Sequence, residues 1–502
     1  MGSKLLNSMK HDDNYTLTEN GGITHKTTES NLLDMFAMGG AMRERPAEDV
    51  ILMFKQAYQE DPEMAMKLLF YLRDVRGGQG ERRFFRTCLN WCARNEKYRA
   101  SIRKNIENIP LFGRWDDLYA LVDTPLEVDV MNFIKKQLAL DIKSTTPSLL
   151  AKWLKSENAS NKETIRYGTI TRQWLGMTHR EYRKVLAALR ERIKVLERLM
   201  TENRWDEIEF DKIPSRAGLI YKNAFARNDI TKARYEAFAR NEKTTVNADV
   251  LYPYDVVHEA IKLMKSYNWH GADIELDDTN RLMVNKYWDN LADYFENASL
   301  DALCMVDNSG SMEGRPMEVA IALGLYCAER NHGPWYDHYI SFASQPQLIE
   351  TEGVDFCDKV DRIVRTCLCD NTNIEAAFDL ILNTAINHHL SWKDMPEYLI
   401  IISDMEFDMA TYGYGKNLVN KNNIETVMDT IATKFERNGF DMPKLIFWNV
   451  DARQNNIPMI GGNVSYVSGF SPTIFKCIMT GKTGWDLMME VINTKRYACI
   501  HA

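Results

Sequence analysis

The chain has 502 residues, of which 45% are hydrophobic and 26% are charged, and its formal net charge at pH 7 is −8. These proportions are typical of a folded globular protein and exclude a disordered chain. The length is large for one domain and favours two or three. Because no run of about 18 apolar residues is present, we expect no membrane-spanning helix.

The cysteines and the first residues of the chain favour a reducing compartment. There are nine cysteines, an odd number, and no CxxC pair. The opening stretch MGSKLLNSMKHDDNYT has no apolar signal-peptide core, and Leu6 stands where a myristoylation motif requires Ser or Thr. We therefore expect a cytoplasmic protein, in the host cytoplasm if the chain is encoded by a virus or phage.

The charge is unevenly distributed along the chain. Residues 51–200 contain 28 Lys and Arg against 18 Asp and Glu, whereas residues 301–502 contain 16 against 26. A basic segment is suited to a polyanion such as nucleic acid. The acidic segment could not easily face a polyanion without a bound cation.

Residues 30–295 have the periodicity of amphipathic helices. In EYRKVLAALRERIKVLERLM, apolar residues recur every three or four positions from Tyr182 to Met200, which predicts one helix. Thr178 followed three residues later by Glu181 predicts a capping box at its start. Short helices joined by tight turns such as RGGQGE predict an all-helical module of HEAT-like repeats, a solenoid or a ring, over residues 1–297.

After residue 298 the pattern changes to alternating strands and helices. Four apolar runs are predicted as strands, namely LDALCMVD, WYDHYISFA, EYLIIISD and PKLIFWNVD. Helical patterns separate them, and this alternation predicts a doubly wound, Rossmann-like α/β sheet over residues 298–502. The predicted fold class is therefore α plus α/β, with a boundary at residues 297/298.

Polar side chains follow the carboxyl ends of three predicted elements of this sheet, where ligands bind in open α/β folds. Asp307 ends the first strand and is followed by Ser309 and Ser311, Thr372 precedes a helix, and Asp404 ends EYLIIISD. Two carboxylates and three hydroxyls are hard oxygen ligands, suited first to Mg²⁺, with Mn²⁺ or Ca²⁺ as alternatives. A polar turn explains the first segment alone, but not the matching groups at the other two positions.

This order of residues, D-x-S-x-S, then Thr, then Asp at the end of a core strand, resembles the metal-ion-dependent adhesion site of von Willebrand factor A domains. The resemblance extends over residues 298–502. It implies that Ser309, Ser311 and Thr372 bind the metal directly, and that Asp307 and Asp404 bind it directly or through water. It also implies that the metal accepts a carboxylate from a protein partner.

Three segments of the helical part resemble TROVE modules, the helical-repeat rings of Ro-type RNA-binding proteins, which carry an A domain at the C-terminus. They are NGGITHKTTESNLLDMFAMGGAMR, LLFYLRDVRGGQGERRFFRTCLNWCARN and LFGRWDDLYAL, and they match a divergent branch of that family. The resemblance implies binding of single-stranded RNA ends in the ring and of structured RNA on its outer face. It also implies that the A domain helps to close the ring or docks a partner.

Basic and aromatic residues interleave between residues 151 and 200, where Lys and Arg number 12 and Asp and Glu number 5. Phosphate neutralisation and base stacking need this mixture. The candidate RNA-binding residues are Lys152, Lys155, Arg166, Arg172, Arg180, Arg183, Lys184, Arg190 and Lys194. On the predicted helix, Arg183, Arg190 and Lys194 fall on one line. A solvated helix face, with Trp153 and Trp174 in the core, is the alternative explanation.

Two other functions stay open at this point. One is a metal-dependent protein-assembly factor that binds no RNA. The other is a metal-dependent nuclease, in which Glu406 and Asp408 join Asp307 and Asp404 in a two-metal site. Because a hydroxyl-rich site is better suited to ligand capture than to hydrolysis, we expect no catalysis. We interpret RGGQGE as a structural turn, with contact to nucleic acid as the less favoured alternative.

Overall fold

A computed structural model describes residues 13–248, 251–268, 278–295, 301–342, 345–366, 373–408, 426–460, 464–478, 482 and 484–502. Two compact units alternate along the chain. The α/β unit comprises Met1–Asp49 and Leu251–Asn493, and the helical unit comprises Val50–Val250 and Thr494–Ala502.

The described elements are as follows, in chain order. An antiparallel hairpin, β1 (Tyr15–Leu17) and β2 (Ile23–His25), precedes α1 (Asn31–Met38). The following helices are α2 (Ala47–Glu60), α3 (Pro62–Arg73), α4 (Arg82–Arg94), α5 (Glu96–Asn105), α6 (Ile109–Phe112), α7 (Glu127–Lys143), α8 (Leu150–Trp153), α9 (Lys162–Trp174), α10 (His179–Arg192), α11 (Leu196–Thr201), α12 (Ser215–Arg227) and α13 (Lys232–Arg240). A 3₁₀ helix, Trp115–Leu121, lies between α6 and α7.

The second half of the α/β unit begins with two helices and continues with alternating strands and helices. These elements are α14 (Pro253–Asn268), α15 (Asp278–Asp289), β3 (Ala302–Asp307), α16 (Arg315–Arg330), β4 (His338–Phe342), β5 (Gln347–Glu350), α17 (Phe356–Thr366), α18 (Ile374–Asn387), β6 (Tyr398–Ser403), α19 (Val427–Arg437), β7 (Lys444–Asn449), β8 (Val464–Ser468), α20 (Ile474–Ile478) and α21 (Gly484–Ile492).

A six-stranded sheet forms the centre of the α/β unit, with strand order β5-β4-β3-β6-β7-β8. All neighbouring pairs are parallel except β4 and β5, which are antiparallel. Every residue of β3 and β6 is buried, because parallel strands in the middle of such a sheet are covered on both faces. The four strands predicted from the sequence and the fold class, α plus α/β, are confirmed.

Phe36 and Gly40, close to the start of the described residues, pack against the end of β8 in the α/β unit. The hydroxyl of Ser468, at the end of β8, donates to the carbonyl of Phe36 in α1 at 3.1 Å and accepts from the amide of Gly40 at 3.0 Å. A side chain at residue 40 would collide with the Ser468 carbonyl, since a Cβ there would lie 2.7 Å from it. Position 40 therefore needs glycine for this close approach.

The last residues of the chain belong to the helical unit. The phenol ring of Tyr497 is buried and stacks on Phe112 with 5.5 Å between ring centroids. Its hydroxyl donates to Asp74 at 3.0 Å, and Arg496 pairs with the same buried carboxylate. The predicted boundary at residues 297/298 therefore does not coincide with the division into two compact units. Met1–Asp49 and the segment from Leu251 onward belong to the α/β unit, whereas Thr494–Ala502 belongs to the helical unit.

The RGGQGE segment forms a tight turn between α3 and α4, in agreement with its interpretation from the sequence. A Cβ on Gly78 would lie 2.0 Å from the carbonyl oxygen of Tyr71, so only glycine fits there. The amides of Gln79 and Glu81 donate to the carbonyls of Tyr71 and Leu72 at the end of α3. The turn thus satisfies the last carbonyls of one helix while it begins the next.

The predicted helix of residues 178–200 is shorter than expected. Its start is confirmed, because Thr178 and Glu181 form the capping box. Its end is wrong: α10 stops at Arg192, and Lys194 has a left-handed backbone with φ of 48°. The amides of Lys194 and Val195 donate to the carbonyls of Glu191 and Arg190, which is the Schellman pattern of a helix end. The apolar residues of the sequence keep their helical spacing beyond Arg192, so the pattern did not indicate the end of α10.

No helix in the described ranges is long and apolar enough to cross a membrane.

Replacing Tyr497 by Ala should destabilise the helical unit. The substitution removes a buried ring and its hydrogen bond to Asp74, and loss of a buried aromatic side chain typically costs about 3–5 kcal/mol of unfolding free energy. Urea unfolding followed by circular dichroism should show a transition midpoint at a lower urea concentration than that of the wild type. Lys495→Ala, at an exposed neighbour, is the control. Equal transition midpoints for the two variants would contradict a structural role of the C-terminal residues.

Candidate functional site

The candidate site lies at the carboxyl ends of β3 and β6 in the α/β unit. These strands are parallel neighbours, with Val306 opposite Ile402, so their last residues meet at one edge of the sheet. Asp307 ends β3 and Asp404 follows β6, and the two side chains are 0% and 1% exposed. Two carboxylates without solvent are costly unless hydrogen bonds and opposite charges surround them.

Asp307 is held by the segments on both sides of it. One carboxylate oxygen accepts the amide of Ser309 at 2.9 Å, and the other accepts the hydroxyl of Ser403 at 2.6 Å. The Ser403 hydroxyl in turn accepts the amide of Met405 at 2.9 Å. Asp307 therefore fixes the loop after β3 against the end of β6.

The loop after β3 brings two hydroxyls together. The Oγ atoms of Ser309 and Ser311 are 3.1 Å apart. Adjacent ligands of an octahedral Mg²⁺, each about 2.1 Å from the ion, lie about 3 Å from each other. The serine pair thus has the separation that two neighbouring ligands of such an ion require.

Asn308, between the aspartate and the serines, is 5% exposed. Its side-chain oxygen is buried and has no hydrogen-bond partner among the described residues. Buried polar atoms are normally satisfied, by protein, water or an ion. The loop after β3 therefore has an unused oxygen acceptor, and its donor set, all oxygen, fits a hard cation.

Asp404 carries a partner that the sequence analysis missed. Arg453, which follows β7, pairs with the Asp404 carboxylate and donates to the main-chain carbonyl of Ser311 at 2.7 Å. It also donates to Glu19 at 3.0 Å and lies 3.3 Å from Asp451. Because β7 pairs in parallel with β6, its carboxyl end lies at the same edge of the sheet, and residues that follow β7 are therefore also candidates for the site.

The electrostatics of the site follow from burial and from the closeness of the acids. Burial, with the neighbouring charge of Asp404, raises the pKa of Asp307 to about 7. Burial opposes the charge of Arg453, but the carboxylates of Asp404, Glu19 and Asp451 outweigh it and raise the pKa of Arg453. One guanidinium thus faces more negative groups than it can neutralise.

Glu406 anchors the N-terminal segment of the α/β unit. Its two carboxylate oxygens accept the amide of Glu19 and the side-chain amide of Asn456, each at 2.7 Å. The side chain of Asn20 donates to the Glu406 carbonyl at 2.5 Å. Burial is the main cause that raises the pKa of Glu406 to about 7. Both oxygens of this carboxylate are already engaged by the protein.

Thr372, the remaining predicted metal ligand, lies outside the described residues. Within the described ranges, no group of three or more His, Cys, Asp or Glu side chains is placed to hold a metal. The candidate site is of a different composition, since it combines two aspartates with serine hydroxyls.

Three of the predicted RNA-binding arginines make structural contacts in the helical unit. Arg166 pairs with Asp123, and Arg172 pairs with Glu157 at 2.9 Å. Arg190 donates to the carbonyls of Ala151 and Leu154, each at 2.9 Å, and to Ser156 at 3.0 Å. These guanidiniums are occupied with holding backbone and carboxylates in place.

The other six predicted residues differ from one another in their surroundings. Arg180, Arg183 and Lys184 are exposed on the first turns of α10 and have no ion-pair partner in the described ranges. The line of three predicted on that helix is wrong, because α10 ends before Lys194 and Arg190 is tied to the backbone. The remaining candidates are Lys194, 3.8 Å from Glu209, Lys155, 3.7 Å from Asp116, and Lys152, beside Trp153.

Two family profiles and one known protein match parts of this chain. The profile described as domain of unknown function DUF7788 matches residues 301–497. An uncharacterised protein of Acanthamoeba polyphaga mimivirus is 29% identical over 518 residues, covering 93% of this chain and 85% of that protein. The profile described as domain of unknown function DUF2828 matches residues 18–110 and 139–299, which is more than half of the chain. The chain therefore belongs to the DUF2828 family.

Proposed function

We propose that the α/β unit is a von Willebrand factor A-like domain that binds a divalent cation, Mg²⁺ first, and docks a protein partner through it. The observation that carries this proposal is the pair of Ser309 and Ser311 hydroxyls, 3.1 Å apart beside the buried Asp307. The two serines hold the ion in this proposal, and Asp307 and Asp404 contribute their charge. Thr372 completes the set as the resemblance implies.

When bound, the cation supplies an electrophilic centre for an acidic oxygen of the partner. The protein's own residues prepare the site. Asp307 fixes the orientation of the Ser309 amide and of the Ser403 hydroxyl. Arg453 holds the carbonyl of Ser311 beside Asp404 and takes up part of the negative charge. Few direct carboxylate ligands leave the ion with a net charge that attracts a further anion.

A nuclease is the less favoured alternative. It would need Glu406 to reach a metal, yet both oxygens of that carboxylate accept hydrogen bonds from Glu19 and Asn456. We therefore propose capture of a ligand and no hydrolysis. Decay of RNA that requires Mg²⁺ and is lost in the Asp307→Ala variant would favour the nuclease.

For the helical unit we propose RNA binding, as the resemblance to TROVE modules implies. The observation that favours it is the exposed basic surface at the start of α10, formed by Arg180, Arg183 and Lys184, which have no ion-pair partner in the part of the chain that the structure describes. Exposed cations are available for phosphates, whereas Arg166, Arg172 and Arg190 are already engaged by single carboxylates or by backbone carbonyls. The ring shape that the resemblance implies stays a prediction, as does an assembly factor that binds no RNA.

Metal binding is tested by titrating Mn²⁺ or Mg²⁺ into the full chain in a calorimeter. We expect one ion per chain, and we expect Ser309→Ala and Ser311→Ala each to weaken binding at least about tenfold, since even indirect contacts of a metal site are worth 10–100-fold. Ser391→Ala is the matched control, because Ser391 precedes β6 and so lies toward the other end of that strand. Unchanged affinity in both serine variants would contradict the proposed ligands.

RNA binding is tested by fluorescence anisotropy of a structured RNA with a single-stranded 3′ end, at several salt concentrations. We expect the double variant Arg183→Glu with Lys184→Glu to weaken binding and to reduce the salt slope by about two, one for each lost phosphate contact. Lys232→Glu with Lys243→Glu changes the charge equally at two other exposed positions and is the control. Arg190 is avoided, because its removal would loosen the backbone of residues 151–156.

If the wild-type chain binds no RNA at low salt, the RNA proposal fails and the metal-dependent assembly factor takes its place.

A further inference from the structure

Two buried aspartates in the helical unit collect more positive charge than they can neutralise. Asp116 and Asp117 lie in the 3₁₀ helix after α6 and are 6% and 0% exposed. The Nε atoms of Arg73 and Arg86 donate to Asp117 at 2.8 and 2.6 Å. Arg114 donates to Asp116 at 3.0 Å.

The excess charge faces solvent. Lys155 approaches Asp116 at 3.7 Å as a fourth cation. Side-chain exposure is 2% for Arg73, but 31% for Arg86, 30% for Arg114 and 25% for Lys155. The carboxylates therefore lie beneath a layer of half-exposed cations.

A fifth cation stands beside this layer without a carboxylate of its own. Arg82, the first residue of α4, is exposed and forms no ion pair within the described ranges. Burial, together with the positive charges of Arg82 and Arg73, lowers the pKa of Arg114 despite its bond to Asp116. Like charges this close repel one another, so binding of an anion lowers the electrostatic free energy of the layer.

A partly buried indole ring adjoins the cations, and a buried phenol ring lies beneath them. The guanidinium of Arg114 lies over the ring of Trp153, 4.2 Å from its centroid, and Trp153 is only partly buried. The ammonium of Lys155 is 5.6 Å from the ring of Tyr119. A cationic track next to an aromatic ring is the arrangement with which proteins hold single strands, since each base offers a flat face for stacking.

We propose that one surface of the helical unit, here called the cationic platform, binds single-stranded RNA, with phosphates on its cations and an unpaired base on its indole. The platform consists of Arg82, Arg86, Arg114, Lys155 and Trp153. The proposal rests on the proposed RNA-binding function and narrows it to single strands at a defined surface. RGGQGE and LFGRWDDLYAL, far apart in sequence, supply the platform together: the turn RGGQGE leads into Arg82 and Arg86 on α4, and LFGRWDDLYAL provides Arg114 and both aspartates.

The test is fluorescence anisotropy of the full chain with a labelled 12-nucleotide oligouridine and, separately, an RNA duplex of equal length. Arg82→Glu removes a cation that has no described partner, and an acidic residue suits the first turn of α4, so the variant should fold. We expect it to weaken single-strand binding at least about fivefold and to reduce the salt slope by about one. Lys232→Glu, the same charge change on α13, should bind as the wild type does.

A second variant separates stacking from charge. Trp153→Leu should weaken oligouridine binding by about 5- to 100-fold, the range for loss of one stacked base, and leave the salt slope unchanged. Circular dichroism and thermal melting establish that each variant is folded.

Three results would overturn the proposal. If the wild type binds oligouridine and both platform variants match it, the platform is wrong while the proposed function stands. If the wild type prefers the duplex, the assignment to single strands is wrong. If the wild type binds neither RNA, the proposed function fails and the platform fails with it.

Discussion

The parallel pairing of β3 with β6 is the constraint on which the candidate site depends. It brings Asp307 and Asp404 to one edge of the sheet, where neither carboxylate reaches solvent. Such a pair is tolerated only if the surrounding groups donate hydrogen bonds or supply positive charge. The amides and the Ser403 hydroxyl donate some of these hydrogen bonds, and Arg453 supplies some of the positive charge. We propose that a divalent cation between the serine hydroxyls supplies the rest of the positive charge.

The two units solve opposite electrostatic problems around buried acids. In the α/β unit one arginine faces several carboxylates, so the site has a surplus of negative charge and suits a cation. In the helical unit two aspartates gather four basic side chains, so that surface has a surplus of positive charge and suits an anion. The uneven charge along the sequence therefore has a local counterpart in each unit, which net charge alone does not reveal.

Sequence patterns predicted the parts of the fold that are local. The buried runs of β3 and β6 and the capping box at Thr178 depend on neighbouring residues and were predicted correctly. Asp307, Ser309 and Asp404 were placed together because the ends of parallel strands share one edge. The end of α10 was missed, because Lys194 occupies the left-handed position after the helix, where a glycine usually marks the end of a helix in the sequence.

Contacts between residues distant in sequence were not predictable in this way. The hydrogen bonds of Ser468 to α1 and of Tyr497 to Asp74 join opposite ends of the chain and have no periodic signature. The end of β7 indicated the place of Arg453, but its partners, Glu19 and Asp404, are set by the sheet and not by spacing. A basic stretch likewise does not show which arginines are already paired, as Arg190 illustrates.

The most direct test of the central claim is a crystal structure of the chain grown with Mn²⁺, with anomalous diffraction used to locate the ion. We expect one anomalous peak within bonding distance of the Ser309 and Ser311 hydroxyls, about 2.1 Å from each oxygen for an octahedral site of this kind. A fully ordered loop after β3 with no anomalous peak between the two serines, at an Mn²⁺ concentration that saturates binding in solution, would contradict it.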